Sequence, residues 1–124
     1  MAGAGALRID HAMGLTRLFV IPHGADADEG AYLAFPERDL FAELALESQR
    51  AACVIVGEDL GTVPWDFRAT MDAANILSCR VMWFERDGAE FSPAESYPPK
   101  SVACVTTHDL PTIAGWWQGE DIRE

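Results

Sequence analysis

The pattern of apolar and polar positions predicts four strands and three helical segments. Leu7–His11 alternates between the two classes, the signature of a strand with one face turned to a core. Cys53–Gly57 is a continuous apolar, β-branched run that stops at a glycine. Ile76–Phe84, "ILSCRVMWF", is apolar with Arg80 embedded, and Val102–Thr107 runs on toward His108 and Asp109. Unbroken apolar strands suit a parallel sheet covered on both faces. Between them the period changes. Asp39 is placed to cap a helix through about Ala51, with Leu40, Phe41, Leu44 and Ala45 on one stripe. Thr62-Val63-Pro64 signals a second helix start, and Asn75 a stop. Leu110-Pro111-Thr112 opens a third helical segment containing Trp116 and Trp117. The predicted order is strand, long loop, helix, strand, helix, strand, loop, strand, helix, which is the α/β class.

The ends of these runs are unusual. The first strand reads into Asp10, the second into Glu58-Asp59 and the last into Asp109. In a parallel sheet the carboxyl ends share one edge, so these acids are expected at one rim. A single strand-end acid commonly serves as a helix cap. The repetition of the placement is what points to chemistry.

Composition narrows the partners. The chain has 124 residues, and its 20 acidic against 9 basic side chains give a net charge of −11. That charge repels phosphate backbones and anionic lipid, so neither nucleic acid nor a membrane surface is expected, whereas a neutral sugar is indifferent to it. The cysteines, Cys53, Cys79 and Cys104, are odd in number and lie in apolar runs, which reads as buried thiols in a reducing cytoplasm. Met1–Ala6 has no basic start and no apolar stretch, so no signal peptide is expected, and residues 1–6 read as an unstructured start. "HGADADEG" lacks the spacing and the terminal glutamate of a calcium loop and reads as a solvated loop. No metal site is expected.

Arg8 and Asp10, two apart on a strand, share a face, and a guanidinium favours an ionised, nucleophilic carboxylate. Glu58 ends a more apolar strand, where desolvation favours the protonated form that a general acid needs. Two carboxyls about 5–5.5 Å apart with those separate roles equip a retaining glycosidase. His108 and Asp109 add polar groups suited to sugar hydroxyls. Tyr32, Trp83, Phe84, Trp116 and Trp117 are candidate stacking surfaces. Arg80 reads as either a buried ion-pair partner or a solvent-facing residue.

These same residues carry a resemblance. "RIDHAMGL", "GAYLAFP", "LALESQR", "VIVGEDLGTVP", "LSCRVMWFERD" and "VTTHDLPTIAGWWQG", in this order, resemble the 4-α-glucanotransferases (amylomaltases) of glycoside hydrolase family 77. The resemblance implies a (β/α)₈ barrel that transfers α-1,4-glucan segments between maltodextrins with retention and without a cofactor. It implies Asp10 as nucleophile, Glu58 as acid/base and Asp109 as the acid that stabilises the transition state. Arg8, His11 and His108 are then sugar-binding. A full barrel needs at least ~200 residues. The resemblance therefore implies a single partial barrel domain over residues 1–124, roughly strands four to seven, with low activity alone and the missing half of the barrel as its partner. A related retaining α-glucosidase or amylase-type hydrolase, and a non-catalytic glucan-binding remnant, are the alternatives.

Overall fold

The computed structural model describes residues 1 and 3–122. It divides into two compact units, Met1–Ser78 and Cys79–Glu124.

The first unit is built on two parallel strands, β1 (Ala6–Ile9) and β4 (Val54–Gly57), in the register Ala6↔Val54 through Ile9↔Gly57. Leu77 extends the parallel arrangement by a bridge to Val56, with its N–H on Ile55 O and its carbonyl accepting from Gly57 N–H. The segment read as one long loop contains an antiparallel hairpin, β2 (Arg17–Val20) with β3 (Ala31–Ala34). Helix α1 (Glu37–Ala51) follows, and α2 (Phe67–Ala73) comes after β4.

Helix α1 begins two residues before Asp39, with Pro36 as its cap. The Pro36 carbonyl accepts from both Asp39 and Leu40 N–H, so the fixed φ of proline opens the first turn. Asp39 joins Glu37 inside that turn, where both acids complement the helix dipole. Of the predicted stripe, Phe41 is buried and Leu44 packs at the core margin. The helix ends on Ala52 in the left-handed region (φ 49°), and Ser48 Oγ donates to Cys53 O at 2.6 Å. Helix α2 starts three residues after Pro64, because Phe67 N–H first closes a short turn onto Pro64 O. Asn75 takes φ 55°, as its type suggests.

Phe41, Cys53, Ile55, Phe67, Met71 and Ile76 form the core of this unit with Ala12 and Met13, and Phe41 meets Phe67 edge-on at 5.9 Å. Gly57 belongs to this packing. A Cβ there would lie 2.7 Å from Met71 Cε and 3.1 Å from Ala12 Cβ.

In the second unit β5 (Ser78–Val81) pairs with β8 (Ser101–Cys104). Strand β5 is shorter than the apolar run, since Met82–Phe84 turns into a 3₁₀ segment closed by Glu85 N–H on Met82 O. A hairpin of β6 (Arg86–Asp87) and β7 (Glu90–Phe91) turns through Gly88 at φ 60°. Helix α3 (Ile113–Trp117) is capped by Thr112 Oγ1, which accepts from Gly115 N–H at 3.0 Å. Cys53 and Cys79 are buried and Cys104 half-buried.

Candidate functional site

Asp10 and Glu58 each stand one residue beyond the last register pair of β1 and β4, Ile9↔Gly57. They therefore leave the same edge of the same parallel pair. The backbone knits the two strand ends together: Glu58 N–H donates to Ile9 O at 2.9 Å, and Ala12 N–H to Glu58 O at 2.9 Å. The Glu58 side chain closes the junction. Its Oε2 accepts from His11 N–H at 2.8 Å and its Oε1 from Leu60 N–H at 2.7 Å. The carboxylate of one candidate is thus fixed against the peptide that follows the other.

At that contact His11 adopts a left-handed conformation, φ 45° and ψ 59°. The cost to a side chain with a Cβ is about 1–2 kcal/mol, and histidine accepts it more often than most residues. Arg8 and Asp10 share a face as their spacing requires, and Arg8 Nη1 lies 2.7 Å from Asp10 Oδ1. Both are exposed. Glu58 is half-buried and held by two backbone donors, so its surroundings here are more polar than an apolar strand end suggests.

Asp59 has a different task from its neighbour. Its side chain is 0% exposed and pairs with Arg68 Nε on α2 at 2.7 Å. Arg68 Nη2 also donates to the Asp59 carbonyl at 3.0 Å. This clamp joins the segment after β4 to α2, and no sequence spacing announces it.

Asp109 and His108 belong to the second unit. Strand β8 ends at Cys104, so Asp109 lies in a turn further on, closed by Leu110 N–H on Thr107 O at 3.2 Å. The strand does not run into the acid, as the apolar run implies, because Thr106 and Thr107 turn their hydroxyls to local backbone groups. Asp109 Oδ2 is 3.3 Å from His108 Nε2, and both side chains are exposed. Arg80 is an ion-pair partner, with Nη1 3.7 Å from Glu85 Oε1. Its Nε and the Trp83 Nε1 are buried without hydrogen-bond partners among the described residues. Trp83 is the centre of an aromatic cluster, 5.9 Å from Phe91 and 5.0 Å from Trp116. Phe84 and Trp117 are exposed.

The fold has solved counterparts. The chain superposes on the crystal structure of amylomaltase from Corynebacterium glutamicum with a TM-score of 0.86, at 39% identity, over 96% of this chain and 17% of that one. It also matches the fold of an amylomaltase from Streptococcus agalactiae solved with acarbose, at a TM-score of 0.72 and 23% identity. These place it among α/β proteins with parallel strands. The family model described as 4-alpha-glucanotransferase matches residues 1–124, and the chain belongs to that family, glycoside hydrolase family 77. A 4-alpha-glucanotransferase of Haemophilus influenzae is 44% identical over 119 residues, covering 96% of this chain. One from Mycobacterium tuberculosis is 42% identical over 126 residues. The chain spans 17% of the length of each of these relatives.

Proposed function

We propose that the chain is the acid-bearing segment of a 4-α-glucanotransferase that moves α-1,4-glucan segments between maltodextrins with retention of configuration. The observation that carries this reading is the shared strand edge, with Asp10 and Glu58 in step and the Glu58 carboxylate bound to His11 N–H. Asp10 attacks the anomeric carbon while Glu58 gives its proton to the departing glycosidic oxygen. A glycosyl ester on Asp10 results. Glu58 then takes the proton of an acceptor hydroxyl, whose oxygen attacks the same carbon and releases Asp10. Arg8, on Asp10 at 2.7 Å, holds the nucleophile in its orientation. Asp109 supports the positive charge of the transition state, and His11 and His108 hold sugar hydroxyls.

The same reading makes residues 1–124 part of a (β/α)₈ barrel, roughly its fourth to seventh strands, which needs the remaining strands for full activity. It requires no cofactor. The odd cysteine count supports work in a reducing cytoplasm. No described helix is long and apolar enough to cross a membrane.

The test is maltotriose disproportionation by the protein at its full natural length. Asp10→Asn is expected to lower the rate at least ~10³-fold with the fold unchanged, since a covalent nucleophile has no substitute. Retained activity, or products of inverted configuration, would overturn the assignment.

A further inference from the structure

One peptide group links the Asp59–Arg68 clamp to the Glu58 carboxylate. The carbonyl between Asp59 and Leu60 accepts from Arg68 Nη2 at 3.0 Å, and the N–H of that same peptide donates to Glu58 Oε1 at 2.7 Å. Resting on the reading of Glu58 just proposed, we infer that Arg68 is a positioning residue for glucan transfer: by gripping this peptide it holds the Glu58 carboxyl where it meets the glycosidic oxygen.

The grip has two points. Arg68 Nε lies 2.7 Å from Asp59 Oδ2 while Nη2 reaches the Asp59 carbonyl, so one planar fork fixes both the side chain and the peptide of a single residue. The fork is itself anchored. Arg68 is the second residue of α2, between Phe67 and Met71, which are both buried in the core of the first unit. A peptide whose carbonyl accepts from a cation is a stronger donor at its N–H, because hydrogen bonds in series polarise one another. The plainer reading is that the pair only stabilises the fold. A buried ion pair is a poor device for that, since apolar side chains of similar volume commonly do as well or better. Apolar side chains cannot hold a carbonyl, and the carbonyl held here belongs to the peptide that orients Glu58. Without Arg68 that peptide loses this hold, and the His11 N–H is left as the fixed donor to the carboxyl.

The experiment uses the full-length protein and compares kcat/KM for two donors: maltotriose, whose leaving oxygen needs a proton, and α-glucosyl fluoride, whose fluoride does not. Arg68→Ala is expected to lower the maltotriose value about tenfold and the fluoride value far less, the effect of a slightly misplaced proton donor. The ratio of the two values does not depend on how much enzyme is folded, so instability alone leaves it unchanged. Arg68→Lys keeps a cation beside Asp59 and carries the test should the alanine variant not fold. Its single ammonium does not reproduce the fork, and its ratio is expected to fall in the same direction. A wild-type ratio in either folded variant, while Glu58→Gln does separate the donors, refutes the inference and leaves the reading of Glu58 standing. Equal losses on both donors in Glu58→Gln would overturn that reading itself, and the inference with it.

Discussion

Glu58 and Asp109 are both acids beyond the end of a strand, but the polypeptide holds them in opposite ways. Glu58 directly follows β4, and each of its carboxylate oxygens accepts a short hydrogen bond from a backbone N–H. Behind it, Gly57 is packed against Met71 and Ala12, and beside it Asp59 is clamped by Arg68. Asp109 is 78% exposed, sits in a turn, and is held by a 3.3 Å contact to His108 and a 3.3 Å backbone bond to Thr107 Oγ1. The difference separates two kinds of preorganisation. In the proposed mechanism Glu58 is the proton donor, and its own strand end fixes it before the reaction, with no reorganisation to make. In the same proposal Asp109 meets charge only in the transition state, and its local backbone leaves it exposed.

Several substitutions break this contrast, and they rank by size. Glu58→Gln is expected to lower glucan transfer ~10²–10⁴-fold, the usual worth of a general acid. It should spare α-glucosyl fluoride as donor far more, because fluoride leaves without a proton. Equal losses on both donors would show that Glu58 is structural. Arg68→Ala leaves Asp59 buried without its guanidinium. A destabilisation of about 2–3 kcal/mol is expected by denaturant titration, below the 3–5 of a fully buried pair because Arg68 half faces solvent. Gly57→Ala forces a methyl against Ala12, and should cost about 1–2 kcal/mol together with a drop in transfer as Glu58 is displaced. The smallest effect concerns His11. Replacement by alanine is expected to be less stable than replacement by glycine by about 1 kcal/mol, because only glycine accepts φ 45° freely. Equal stabilities would mean that the left-handed turn relaxes when the imidazole is removed.

Much of the first unit was legible in the sequence. The apolar run Cys53–Gly57 and the alternating Leu7–His11 became the paired strands, and the position of the acids after them followed from strand direction alone. Asn75 ended its helix in the left-handed region, a property of its short amide side chain. The hairpin β2–β3 was missed because its connecting loop is long and acidic. Its signal was present in two apolar runs, Leu18–Ile21 and Tyr32–Phe35, on either side of a stretch rich in glycine and aspartate. Gly88, at the first position of the two-residue loop Gly88-Ala89, likewise carried the signal of the small hairpin of the second unit. The Asp59–Arg68 clamp left no sequence trace, since a buried ion pair depends on where a helix lands against a strand end and not on residue spacing. The strand expected to reach Asp109 stopped at Cys104, because threonine hydroxyls offer the backbone an alternative to the ladder.

The central claim is that Asp10 forms the covalent bond to the sugar. The direct measurement is peptide mass spectrometry of the full-length Glu58→Gln protein after reaction with 5-fluoro-α-glucosyl fluoride, whose fluoroglycosyl ester turns over slowly. The account predicts the fluoroglucosyl mass on the peptide containing Arg8-Ile9-Asp10, with fragmentation placing it on Asp10. A label on any other residue, or no label while fluoride is released catalytically, would contradict it.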